Sequence, residues 1–183
     1  MKKRIVVLLL VFVLLGVIIG LLVRCSEPSP ENRDASSSGK RIEALIDKMT
    51  LEEKVGQMTQ ITLSHLLRQD EEGVKEPFEL DTARLRKAVV DHHVGSILNN
   101  GGHANSLAKW HTIISQIQEM AMDETRLGIP VLYGIDAIHG ANYTQDATLF
   151  PQQIAQAATW NPEIVREAAS ITAYETRASG IPW

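Results

Sequence analysis

An apolar run, GIPVLYGIDAIHG at residues 128–140, ends in Asp136 and turns through His139 into Gly140. A carboxylate in that place can do two kinds of work. It caps the helix or turn that follows, or it is aimed at something bound, accepting hydrogen bonds from ligand hydroxyls or serving as acid, base or nucleophile. A second apolar run, VGSIL at 94–98, ends in Asn99-Asn100-Gly101-Gly102. Paired glycines let backbone approach a ligand closely, and asparagine amides offer both donors and acceptors. The same four residues also make an ordinary turn, so spacing leaves both readings open. His139 is likewise either a ligand contact or a structural residue beside a tight turn.

Other chemistries find less support. His92, His93, His103 and His111 lie near one another in sequence. None forms an i, i+4 helical pair with a third acidic ligand, so no metal is expected. There is no phosphate-binding loop of the Walker type and no GxGxxG after a strand, and no cofactor is expected. Asn142-Tyr143-Thr144 is a glycosylation sequon, a short motif of low specificity.

The elements that must position Asp136 follow from periodicity and capping signals. Ile42, Leu45, Ile46 and Met49 have helical spacing, and Thr50-Leu51-Glu52-Glu53 is a capping box. It opens a second helix expected to carry Val55, Met58 and Ile61 on one side. Residues 64–80 read as a loop, after which Asp81 caps a helix containing Leu85, Ala88 and Val89. The strand at 94–98 leads into a long helix with Leu107, Trp110, Ile113, Ile114, Ile117 and Met120 on one face, stopped by Gly128 and Pro130. The next strand is 131–136. After a further helical region, Asn161-Pro162-Glu163 starts a helix carrying Ile164, Ala168, Ile171 and Tyr174. Gly180-Ile181-Pro182-Trp183 then repeats the entry Gly128-Ile129-Pro130-Val131 and announces a third strand. This alternation predicts an α/β fold with a parallel sheet, whose ligands bind at the C-terminal strand ends. A (β/α)8 barrel takes about 250 residues. The expected fold is therefore the opening third to half of a (β/α)8 (TIM-type) barrel, in a truncated chain.

The N-terminus is of another kind. Met1-Lys2-Lys3-Arg4 precedes an uncharged apolar stretch at 5–23, long enough to span a bilayer, with basic residues that favour export of everything after it. Cys25, the only cysteine, follows as in a bacterial lipoprotein signal, although Arg24 stands where that signal has a small residue. Lipid attachment at Cys25, an uncut anchor and plain cleavage are the three alternatives. The expected organisation is a signal or anchor segment at 1–25, a flexible linker at 26–40 and a partial barrel domain at 41–183, on the periplasmic or cell-surface side. The whole chain has 18 basic and 22 acidic residues. Without Lys2, Lys3, Arg4 and Arg24 the balance is 14 to 22, net −8, a surface that disfavours nucleic acid.

Five segments taken together resemble the N-terminal part of glycoside hydrolase family 3, in its β-glucosidase and exo-β-glucanase branch. They are RIEALIDKMTLEEKVGQMTQ, VGSILNNGG, TRLGIPVLYGIDAIHG, ATLFPQQIAQAATWNPEIV and YETRASGIPW, in that order between Arg41 and Trp183. The resemblance implies a (β/α)8-type barrel and a role for Asp136, the Asp of G-I-D-A-x-H-G, in gripping hydroxyls of a terminal non-reducing sugar. β-Xylosidase relatives carry Glu there, and β-N-acetylglucosaminidase relatives a Glu-Gly-Gly segment, so a glucose-like unit is implied. So is a retaining mechanism, with a nucleophilic Asp and an acid/base carboxylate in later parts of the family's sequence.

No catalytic residue is therefore assigned within 1–183. Glu119, Glu124, Glu163 and Glu175 are expected on helix surfaces. The implied partner is a β-linked gluco-oligosaccharide or β-glucoside, hydrolysed by the full-length protein and not by this chain alone. The alternatives are a membrane-anchored carbohydrate-binding protein without catalysis, or an exo-glycosidase with another sugar preference.

Overall fold

A computed structural model describes residues 30–70, 73–74, 78–99 and 102–183. The apolar segment 5–23, Cys25, and Asn100 and Gly101 of the loop lie outside the described residues. The chain divides into two units, Met1–Lys48 and Met49–Trp183.

In the first unit, helix α1 covers Pro30–Lys48. Within the segment expected as a linker, residues from 30 onward are helical. Pro30 occupies the first helical position and Lys48 is in the last turn. Ile42, Leu45 and Ile46 are exposed.

The second unit opens with α2, Leu51–Gln57, whose capping box is complete: Glu53 N–H donates to Thr50 Oγ1 at 3.2 Å, and Thr50 N–H to Glu53 Oε2 at 2.8 Å. Its inward face differs from expectation. Glu53 and Gly56 are buried, while Val55 and Met58 are exposed. Glu53 goes inward because Arg126 meets it, Nε to Oε1 at 3.0 Å and Nη2 to Oε2, a two-point guanidinium–carboxylate pair. That pair and the Thr50 amide hold the Glu53 carboxyl below its ordinary value.

Three short parallel strands follow in chain order: β1 Gln60–Thr62, β4 Ser96–Leu98 and β5 Leu132–Gly134. The register aligns Ile61, Ile97 and Tyr133 across the sheet. Two strands match the sequence pattern, trimmed at their ends. β1 was expected as the end of a helix; a three-residue strand with polar Gln60 and Thr62 around Ile61 carries no readable alternation. Between β1 and β4 the expected loop contains a 3-10 turn, Leu63–Leu66, and a small antiparallel ladder, β2 Gln69–Asp70 with β3 Gly73–Val74. Leu63, Leu66 and Leu67 are fully buried.

Asp81 caps α3, Thr82–Arg86, accepting from the Ala83 and Arg84 amides, and the helix widens into a π turn at Lys87–Asp91. Helix α4, Leu107–Glu124, crosses from β4 to β5. It stops at Thr125, before Gly128: the Thr125 hydroxyl donates back to Ala121 O and accepts the Gly128 N–H. After β5 come α5, Gln153–Ala157, and α6, Pro162–Ala178, which starts on Asn161 as its motif requires.

The core lies between the sheet and these helices. Ile97 and Tyr133 on the sheet meet Trp110, Ile113 and Ile117 of α4, with the Trp110 and Tyr133 rings edge to face at 5.7 Å. Gln118 fixes the entry to β5 by bonding both Val131 O (2.7 Å) and Val131 N (3.0 Å). On the other sheet face Gln60, Thr62 and Leu132 are exposed. The repeated Gly-Ile-Pro entry is geometric as well as textual. Gly128 and Gly180 both take left-handed backbone, and Trp183 O accepts the Ile135 N–H at 2.9 Å beside β5.

Candidate functional site

Asp136 and Asn99 sit just past the C-terminal ends of β5 and β4, and the register makes them neighbours across the two strands. Asp136 continues the period-two alternation of exposed Leu132 and of Gly134, which is buried under the Trp183 ring, so its side chain belongs to the sheet face turned away from the helices. It is exposed. Its carboxylate does not cap the next turn: Asn99 Nδ2 donates to Asp136 Oδ2 at 2.8 Å, and Asp136 N–H donates to Asn99 Oδ1 at 2.8 Å. Among the described residues the Asp136 carboxylate has no ion-pair partner, and its Oδ1 has no donor.

Asn99 has left-handed backbone, φ 57°, a conformation asparagine tolerates better than most residues. Its N–H donates to Gly134 O at 2.8 Å, and its carbonyl accepts the Tyr133 hydroxyl at 2.7 Å. Tyr133 is fully buried, and burial pushes its phenol far above the ordinary value, so the hydroxyl stays a donor. Tyr133 went unrecognised in the sequence, where it reads as one more apolar strand residue; a phenol in an otherwise aliphatic strand is the signal that needed a partner. Gly102, also left-handed, is exposed, and a Cβ there would meet none of the described residues within 4 Å.

His139 turns away from Asp136. Its Nδ1 is 3.1 Å from Phe150 O, and its own carbonyl accepts the Phe150 N–H at 3.0 Å. The ring pins the 140–150 segment, the structural alternative for this residue. Glu175 does similar work from α6, accepting from Thr148 N–H at 3.0 Å and Thr148 Oγ1 at 2.9 Å. Glu124 pairs with Arg86. The sequon is internal: Thr144 is buried, with its hydroxyl 2.8 Å from that of Ser179. An apolar groove of about 460 Å³ runs between α6 and residues 135–140, lined by Ile135, Ala137, Val165, Ala168 and Trp183. Neither Asp136 nor Asn99 lines it. No cluster of three potential metal ligands occurs among the described residues, nor is any described helix long and apolar enough to cross a membrane.

A parallel sector of βαβ units, presenting a carboxylate at its C-terminal strand ends, defines the class: part of a TIM-barrel-like domain. The chain belongs to glycosyl hydrolase family 3, because residues 50–183 match the model of the "Glycosyl hydrolase family 3 N terminal domain". It is 37% identical over 151 residues to the "Lysosomal beta glucosidase" of Dictyostelium discoideum, covering 78% of this chain and 18% of that protein. It is 29% identical over 153 residues to the "Periplasmic beta-glucosidase" of Salmonella typhimurium, covering 84% of this chain and 16% of that protein. Among solved structures, a glycoside hydrolase family 3 β-N-acetylglucosaminidase from Paenibacillus superposes with a TM-score of 0.55 at 26% identity, covering 73% of this chain and 23% of that one. The chain thus spans less than a fifth of the length of these two curated relatives.

Proposed function

We propose that the chain is the N-terminal part of an exported β-glucosidase that removes terminal non-reducing β-D-glucosyl residues by a retaining mechanism. In this reading Asp136 grips two hydroxyls of the terminal sugar, which fixes the ring for attack at its anomeric carbon. The observation that carries it is a carboxylate held at the C-terminal strand ends by Asn99, with one oxygen taking no hydrogen bond from the described residues, inside the family-matched stretch. Nucleophile and acid/base carboxylates are assigned outside residues 1–183. No cofactor or metal enters the reaction. Export rests on the basic and apolar N-terminal sequence and on the likeness to lysosomal and periplasmic relatives. Membrane tethering through residues 1–25, lipidated at Cys25 or not, rests on sequence alone, as does the domain start at residue 41. Asn100, Gly101, Gly102 and His139 are kept as loop residues around the sugar, with His139 acting through the fold.

The test uses the complete gene product with aryl β-glucoside, β-xyloside and β-N-acetylglucosaminide. Preferred hydrolysis of the glucoside is expected. Asp136→Ala should lower kcat/KM about 10- to 100-fold, the loss of one or two charge-assisted hydrogen bonds. Preference for the N-acetylglucosaminide, the substrate class named for the Paenibacillus structure, would replace the sugar assignment. Sugar binding without turnover would instead establish the non-catalytic reading.

A further inference from the structure

We infer that Asn99 is a positioning residue for Asp136: its side-chain amide fixes the plane of the carboxylate and leaves Oδ1 for the substrate. The inference rests on the reading of Asp136 as the sugar-holding residue and adds what makes that carboxylate competent. An exposed aspartate otherwise samples several rotamers, and each misaligned one weakens a two-point contact to vicinal hydroxyls. Here the amide meets both the N–H and Oδ2 of Asp136, each at 2.8 Å, so torsions on either side of the Asp136 Cα are tied to one planar group.

Residue type matters at this position. The contact needs a donor and an acceptor on one short planar group, and a backbone with φ near 57°. Asparagine supplies all of these; glycine supplies only the backbone, serine only one atom, and ionised aspartate no donor. Asn99 is in turn fixed from behind. Its carbonyl accepts from buried Tyr133, and Tyr133 packs on Trp110, so the carboxylate is referred to the core through one chain of contacts. One Nδ2 hydrogen and Oδ1 are engaged by Asp136, and it is through these two bonds that Asn99 acts on the sugar in this reading.

The test compares Asn99→Gly, Asn99→Asp, Asp136→Ala and the Asn99→Gly/Asp136→Ala double variant in the complete gene product, with an aryl β-glucoside and with thermal unfolding as a fold control. Asn99→Gly is expected to lower kcat/KM about tenfold, the loss from about one hydrogen bond's worth of alignment. The double variant should be no worse than Asp136→Ala, since the two side chains act as one unit. Asn99→Asp gives the signature that a merely structural role would not. When protonated, the introduced carboxyl reproduces the amide, its O–H donating to Oδ2 and its C=O accepting the Asp136 N–H. When ionised, it opposes a like charge at hydrogen-bond distance. The ratio of this variant's kcat/KM to that of the unaltered enzyme should therefore fall as pH rises, while the Asn99→Gly ratio stays flat.

Additive losses in the double variant, or a flat Asn99→Asp ratio, would overturn the inference. Wild-type activity for Asn99→Gly alongside a crippled Asp136→Ala refutes the positioning role and leaves the sugar-holding role standing. Unimpaired Asp136→Ala refutes the sugar-holding role itself. If Asn99→Gly does not fold, the pH ratio of Asn99→Asp decides alone.

Discussion

Gly95→Ala is a sharp test of how the start of the sheet is built. Gly95 is buried ahead of β4, and its N–H donates to Gly56 O of α2 at 2.9 Å, while its carbonyl accepts from Leu132 at 2.9 Å. A Cβ at residue 95 would lie 2.3 Å from Gln57 O and 2.6 Å from Gln57 Cα, against 3.4 Å for ordinary contact. Those are backbone atoms, so no rotamer change relieves the overlap. The end of α2 must retreat by about 1 Å, which the 2.9 Å hydrogen bond cannot follow within its geometric limits. Losing that bond costs about 1 kcal/mol, and forcing an extra methyl into a packed site costs about 1–3 kcal/mol more. For a barrel domain of about 250 residues, at about 2 °C per kcal/mol, a total of roughly 2–4 kcal/mol lowers the unfolding midpoint by about 4–8 °C. The assay is calorimetric or near-ultraviolet unfolding of the complete gene product, with Gly39→Ala as control, since a Cβ at this helical position would overlap none of the described residues. A midpoint for Gly95→Ala within a degree of the parent would refute the claim that α2 and β4 meet backbone to backbone.

Three further outcomes are expected. Glu53→Gln retains the capping box but loses the charge facing Arg126; because folding lowers the Glu53 pKa from 4.5, that charge stabilises the fold above this value and stops doing so as pH falls through the lowered one. The difference in urea midpoint between parent and variant should then be wide at about pH 7 and narrow on acidification; a gap constant with pH would contradict the pairing. Tyr133→Phe removes the hydroxyl that donates to Asn99 O and should cost about 1 kcal/mol in denaturant unfolding, with kcat/KM falling less than for Asn99→Gly. Thr144→Val deletes a buried contact, but Ser179 still donates to Glu175 O at 3.0 Å, so a loss of about 1 kcal/mol is expected, and one above about 3 kcal/mol would show that Ser179 depends on Thr144.

The legible parts of this fold were those determined within a few residues. Thr50, Asp81 and Asn161 each cap a helix because their partners lie two or three positions on. The α4 stripe was readable because five turns of one face repeat the same chemistry. Illegible parts depend on contacts distant in sequence. Glu53 turned inward because Arg126, 73 residues away, receives it. Val55 and Met58 were left outside because the glycine between them is what α2 presents to the turn at His92 and His93. Leu63, Leu66 and Leu67 have no helical or strand period, yet they are core. At the site, the motif pointed to Asp136, but its partner 37 residues earlier could not be read from the motif. Asn99 was singled out only as a loop residue, with the same weight as its three neighbours.

The register of the parallel strands also bears on how this part of the chain is made. Ser96 lies across from Gln60, 36 residues earlier, and the same interval leads on to Leu132. Each strand thus finds its neighbour in the helical hairpin's length of chain just completed, and needs nothing from the far end of the protein to do so. Parallel pairing across such an interval is slower than closing a hairpin, but it spans only chain already made. On a ribosome adding residues one at a time, the sheet can grow strand by strand in the order of translation. Asn99 and Asp136 would be brought together as soon as the second of these intervals has emerged.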